Sequence, residues 1–170
     1  MDEVISDEFH FDDSQILDVL QKVDTIAIVG ASPNWVRPSN FVMKYLQRKN
    51  YKVIPINPSH RGSKILGEPV YGSLAEVPKE FQMVNIFRKS ESVLQIIDEV
   101  IPLIDSKNIN VIWMQLGVWN KHACSVAEGN GLTVIMDRCP KIEYGRLFGE
   151  LGWVGVNSGI ISAKKRRFRI

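Results

Sequence analysis

The sequence predicts a doubly wound α/β domain: a five-stranded parallel sheet with helices on both faces. Three observations carry this prediction. Five short apolar runs alternate with stretches whose apolar residues recur at helical spacing, the pattern of successive βα units. The runs are apolar without alternation, as strands buried on both faces require. Gly, Pro, Asn and Ser gather between them, where the chain must turn.

A first helix is expected from Ser14, with Ile16, Leu17 and Leu20 on one face and Ser14 as its cap. Residues 25–29, Thr-Ile-Ala-Ile-Val, form the first strand and end at Gly30. A loop follows to Pro38, then a helix from about Ser39 with Phe41, Val42, Tyr45 and Leu46 as its stripe and Asn50 at its end. Residues 51–56 form the second strand, closed by Asn57-Pro58. Pro55 lacks an amide hydrogen, which places this strand near its end or at an edge. Residues 65–78 are broken by Gly67, Pro69, Gly72 and Pro78, with one capped turn over 73–76. Residues 83–87 form the third strand. Ser90 starts a long amphipathic helix with Val93, Leu94, Ile97, Val100, Ile101 and Ile104 inward. Residues 111–114 are the fourth strand, ending in Gln115-Leu116-Gly117. A helix over 121–128 is closed by Gly129-Asn130-Gly131. Residues 133–136 are the fifth strand, and Asp137-Arg138-Cys139-Pro140 follow it.

Right-handed crossovers leave few topologies, and the strand order 3-2-1-4-5 is expected. Ligands in such sheets bind beyond the carboxyl ends of the strands, where the order reverses. With that order the reversal lies between the first and fourth strands, at Gly30-Ala31-Ser32 and Gln115-Leu116-Gly117.

With 170 residues, 45% hydrophobic and 24% charged, the chain is long enough for one core without disulfides or metal. Two cysteines, Cys124 and Cys139, suit a reducing compartment. No apolar run reaches membrane-spanning length, and the start of the chain is acidic, unlike a targeting signal; a cytosolic home is expected. The net charge of +2 is unevenly spread: residues 1–13 hold six acids, and residues 164–169 hold five bases. The division expected is an acidic arm over 1–13, the α/β domain over 14–150, and an extension with a basic tail over 151–170. The tail reads as solvated or paired with the acidic arm. A nucleic-acid binder would spread its bases over a folded face, so the expected partner is a small nucleotide-type molecule. A protein partner is left open.

The first loop precedes a helix start, whose amides and dipole attract phosphate. Gly30 allows a tight turn and close approach of a ligand. Ser32 and Ser39 add hydroxyls, and Arg37 adds a permanent charge. This is not the dinucleotide fingerprint, because Gly30-Ala31-Ser32-Pro33-Asn34-Trp35 has one glycine where three are needed. Nor does the second strand end in the acid that holds the ribose of NAD. It ends in Asn57-Pro58-Ser59-His60-Arg61, where Ser59 and Arg61 suit an extra ribose phosphate, as in NADP or coenzyme A. No Gly-Lys-Ser/Thr triplet makes a P-loop. His10, His60 and His122 suggest no triad, and no Cys/His spacing resembles a zinc site. Asp137 and Glu143 suit ion pairs or helix ends rather than an acid–base pair. Cys139, beside Arg138, is the most reactive-looking residue, and Cys124 reads as core.

Taken together, Ala27-Ile28-Val29-Gly30-Ala31-Ser32-Pro33-Asn34, Arg37-Pro38-Ser39, and Val53-Ile54-Pro55-Ile56-Asn57-Pro58 resemble the small CoA-binding-domain proteins. So do Phe87-Arg88, Trp113-Met114-Gln115-Leu116-Gly117 and residues 136–144, from Met136 to Tyr144. The resemblance runs from about residue 14 to 147. It extends to the CoA-binding part of the succinyl-CoA synthetase α subunit and of ADP-forming acyl-CoA synthetases. It implies a Rossmann-like fold that binds coenzyme A or an acyl-CoA. Gly30, Ala31 and Ser32 would then hug the diphosphate, with Arg37, Pro38 and Ser39 beside them. Pro55, Ile56, Asn57 and Pro58 would border the adenosine end. Phe87, Arg88, Gln115, Leu116 and Gly117 would line the channel to the pantetheine arm, with Arg138 and Cys139 near the thiol. The synthetases carry a phosphorylated histidine and an ATP-grasp module in further domains, and this chain has length for neither. The expectation is a stand-alone binding module, a sensor or carrier without catalysis; the alternative is an NADP-dependent oxidoreductase.

Overall fold

The computed structural model describes residues 11–149. Five parallel strands form one sheet: β1 (Thr25–Val29), β2 (Lys52–Ile56), β5 (Met83–Ile86), β6 (Val111–Met114) and β7 (Thr133–Ile135). Between β2 and β5 lies a small hairpin, β3 (Lys64–Ile65) and β4 (Glu68–Pro69). The sequence reading lacked this hairpin. Its turn is built on Leu66 at φ +48° and Gly67 at φ +87°.

Helices α1 (Asp13–Lys22), α2 (Pro38–Arg48) and α6 (Pro140–Leu147) pack on one face. Helices α3 (Val93–Val100) and α5 (Lys121–Gly129) pack on the other. The strand side chains divide accordingly. Ile26 and Ile28 enter the first core with Met83, Trp113 and Ile135. Ala27 enters the second with Val84, Ile112 and Val134. A doubly wound sheet is thereby shown.

The strand order is β2-β1-β5-β6-β7, which corrects the expected 3-2-1-4-5. The third strand of the sheet, β5, pairs with β1 rather than lying outside β2. The physical reason sits on β2. Its outer side meets Tyr71, whose amide donates to the Pro55 carbonyl at 3.1 Å and whose carbonyl accepts from Asn57 at 2.9 Å. Pro55 has no donor for a further ladder. The proline's edge reading therefore holds, and it was the expected order that contradicted it. The reversal point moves to the crevice between β1 and β5.

Element ends differ in smaller ways. The cap of α1 is Asp12, whose carboxylate accepts from the Ser14 amide at 3.1 Å. The long helix expected from Ser90 is divided: a 3-10 turn (Ser90–Ser92), α3, a second 3-10 turn (Ile101–Leu103) holding Pro102, and the short α4 (Ile104–Lys107). Ile96 joins its buried face, and Leu94 packs against that core half-buried. The turn expected over 73–76 closes one residue later, the Val77 amide donating to the Leu74 carbonyl at 3.3 Å, and Glu76 reaches back to accept from the Gly72 amide at 3.2 Å. Helix α6 was not foreseen. It docks through Tyr144, whose ring meets that of Tyr51 edge-on with centres 6.1 Å apart, and the buried Lys49 ammonium lies 5.5 Å from the Tyr144 ring centre. Arg146 joins α6 to α1 through Asp13 at 2.6 Å. The basic tail and most of the acidic arm lie outside the described residues. No described helix is long and apolar enough to cross a membrane.

Candidate functional site

β1 delivers the chain to the reversal point at Gly30. Its φ is +88°, and a Cβ here would stand 2.7 Å from the Phe87 carbonyl oxygen. Glycine is what lets the loops after β1 and β5 meet this closely. The amides of Gly30 and Ala31 both donate to the Ile56 carbonyl, at 3.0 and 3.3 Å. The Ser32 amide donates to Ser39 Oγ at 3.1 Å. Asn57 Nδ2 donates to the Ala31 carbonyl at 2.7 Å, and Asn40 Nδ2 to the Ser32 carbonyl at 2.9 Å. The expected cradle of free amides is therefore corrected: those of Gly30, Ala31 and Ser32 are spent on the fold. Pro38 has none, and those of Asn40 and Phe41 turn to the Arg37 carbonyl. Ser39 is buried. Of the expected residues, the half-buried Ser32 and the exposed Arg37 and Pro38 are what the loop presents, beside the exposed Pro33, Asn34, Trp35 and Val36.

Beside this loop a cleft of about 290 Å³ runs between the carboxyl ends of β1 and β2 and one face of α3. It brings together five expected residues, Gly30, Ile56, Asn57, Pro58 and Arg88, with Ser59 next to them. Asn57 does double duty: its Nδ2 holds the first loop, and its Oδ1 accepts from the Ser59 amide at 3.0 Å. Arg88 is exposed at the end of β5. The far wall was missed by the sequence reading. Ser92, Gln95, Ile96 and Glu99 line it, with Gly72 and Ser73 above. A signal existed, since Ser92, Gln95 and Glu99 recur at helical spacing on one side of the apolar stripe. Glu99 Oε1 accepts from the Leu74 amide at 2.9 Å, which ties the segment after Tyr71 to α3.

Other expected residues lie elsewhere. Pro55 is buried in β2, and Phe87 is half-buried, its amide bonded to the Val29 carbonyl at 2.8 Å. Arg61 does not line the cleft; it pairs with Glu76 at 2.9 Å. At the end of β6, Gln115 is buried with Nε2 unpartnered, and Leu116 is 55% exposed. The Gly117 amide donates to Asp137 Oδ1 at 2.7 Å. Asp137, at φ +52°, is thus a clamp between the β6 and β7 loops. Trp113 Nε1 donates to the Arg138 carbonyl at 2.7 Å. Cys139 is 6% exposed and packs in the same core as Ala31 and Tyr144.

The displaced titratable groups lie away from the cleft. Burial, reinforced by Glu128, pushes the Cys124 thiol up to about 11. Burial, then Tyr144 and Asp24, holds the Tyr51 hydroxyl well above the ordinary tyrosine range. Hydrogen bonds that the Arg146 guanidinium donates to Asp13 and Glu143 hold its pKa above the ordinary arginine value. Glu143 pairs with Arg146 at 2.5 Å, the ion-pair role expected for it. Among the described residues no three His, Cys, Asp or Glu side chains gather as a metal site.

The sequence is 34% identical over 131 residues to the uncharacterized protein YneT of Bacillus subtilis, covering 77% of this chain and 93% of YneT. A hypothetical protein from Pyrococcus horikoshii has the same fold at a TM-score of 0.75 and 33% identity, over 82% of this chain and 94% of that one. A 74-residue stretch, 44% of this chain, is 31% identical to 10% of an ADP-forming acetate–CoA ligase of Archaeoglobus fulgidus. The CoA binding domain family matches residues 24–145. With its Rossmann-like sheet and the loops gathered at the reversal point, the chain belongs to the CoA-binding-domain family.

Proposed function

We propose that this protein binds coenzyme A or an acyl-CoA as a stand-alone module, a sensor or carrier rather than a catalyst. The observation that carries the reading is the cleft at the β1–β5 reversal point, walled by Gly30, Asn57, Pro58 and Arg88 in a chain of this family. At about 290 Å³ the cleft lies at the lower end of ligand-pocket volumes. It suits the adenosine head, with the remainder of the ligand running over the loops. Arg88 and Arg37 supply charge for the phosphates, in place of the spent amides. The pantetheine arm then passes Phe87 toward Leu116 and Gly117. Cys139, held in the core, is set apart from the thiol.

Isothermal titration with coenzyme A, acetyl-CoA and NADP tests the proposal. Heat with the first two and none with NADP is expected. Arg88→Ala should weaken coenzyme A about tenfold, by loss of one charge-assisted contact. Its melting temperature should not move, since Arg88 is exposed. No heat with either CoA species refutes the reading. Binding of NADP alone favours the oxidoreductase alternative.

A further inference from the structure

Glu99 is an unexpected residue to find in a site for a polyanion. It lines the same cleft as Arg88 and lies on α3, where Ser92, Gln95 and Glu99 follow one another along one side. At 1.5 Å per residue, Glu99 stands roughly 10 Å beyond Ser92 along the helix. The cleft is thus polarised along the chain: Arg88 comes from the loop that leads into α3, and Glu99 from the last turn of that helix. The carboxylate is fixed in place, because its Oε1 accepts from the Leu74 amide at 2.9 Å. Between the two charges Val29, Ile56, Pro58 and Ile96 offer apolar wall, alongside the polar Asn57, Ser59, Ser73 and Gln95.

A nucleoside whose ribose bears phosphates has the matching polarity. Its anionic groups sit at the ribose end. Its flat base suits apolar walls. The exocyclic amine of adenine, two N–H donors with no acceptor, lies at the end remote from the phosphates. A carboxylate accepts only, so it suits that amine and repels phosphate. Resting on the coenzyme A reading above, we infer that Glu99 is the base-specificity residue, receiving a hydrogen bond from the adenine amino group through the oxygen that Leu74 leaves unused.

The test compares coenzyme A with an analogue carrying purine in place of adenine, lacking only the exocyclic amine. Both are titrated into the wild-type chain, Glu99→Gln and Glu99→Ala. The wild type should prefer coenzyme A roughly 10- to 100-fold, the worth of a hydrogen bond to a charged group. Glu99→Gln keeps an acceptor for Leu74 and should shrink the preference severalfold. Glu99→Ala should bring the ratio near one, whatever its absolute affinity, because the amine then has no partner to lose. Equal wild-type affinity for the two ligands overturns the assignment alone. So does a preference that persists unchanged in both variants. No heat with coenzyme A in the wild type overturns the ligand reading, and this assignment falls with it.

Discussion

Replacing Gly30 by alanine should damage both stability and binding, and the structure separates the two contributions to the stability loss. Gly30 has φ +88°, a conformation that costs an L-residue about 1–2 kcal/mol. The added Cβ would also stand 2.7 Å from the Phe87 carbonyl oxygen and 3.1 Å from Arg88 Cδ. The Arg88 side chain can swing away, but the carbonyl is backbone of the residue that follows β5, whose amide is tied to the Val29 carbonyl at 2.8 Å, so it cannot yield without parting β1 from β5. Forcing a methyl into such a place costs about 1–3 kcal/mol more. The total is about 2–5 kcal/mol, which in a chain of this size lowers the melting temperature by about 5–20 °C. Gly131 provides the control. Its φ is +83°, yet no atom lies within 4 Å of a Cβ built there. Gly131→Ala should therefore lose only the conformational part, about 1–2 kcal/mol. Urea unfolding of both variants measures the difference. If Gly30→Ala loses no more than Gly131→Ala, the close approach of the two loops is not what requires glycine.

Asn85, in the centre of β5, is fully buried and neither polar atom of its side chain has a hydrogen-bond partner. Asn85→Leu should gain about 1–3 kcal/mol in urea unfolding by removing an unpaired amide at similar volume; a loss would show that the amide has a partner in solution. Asp137→Ala should cost about 1–2 kcal/mol through the lost bond to Gly117. Asp137→Gly should cost less, because glycine relieves the positive φ; equal losses would remove the backbone part of that argument. The Cys124 thiol, raised to about 11, is neutral at pH 8, with thiolate near a thousandth. Peptide-mapped alkylation there should accelerate about tenfold per pH unit up to about 11. A plateau near pH 9 would contradict the raised value.

The parallel sheet was legible because βα alternation and unbroken apolar runs have few other solutions. Thr25–Val29, Lys52–Ile56 and Val111–Met114 match the expected runs within a residue at each end. Helix α6 was missed because its stripe is weak and Pro140 opens it; its place is set by Tyr144 against the Tyr51 ring and the Lys49 ammonium, contacts between distant parts of the chain. The strand order failed for a related reason. Each strand's apolar pattern fits any interior position, and only the Tyr71 segment on β2 decides which side β5 takes.

The first loop shows the same division. Its glycine, serines and arginine, read as a phosphate-attracting turn, do lie at the reversal point of the sheet. Which of their groups are left for a ligand is a question of hydrogen-bond partners. Ile56, Ser39 and Asn57 consume amides and carbonyls that a linear reading counts as free. Residue types and their order thus determined, by themselves, the class of fold, the family and five of the residues that line the candidate cleft. Only the tertiary structure decided that the order reverses between β1 and β5, that Arg88 and Glu99 share the cleft beside that point, and that Cys139 is shut in the core. Burial and pairing depend on which strands are neighbours, and neighbours in a crossover sheet lie tens of residues apart in the chain.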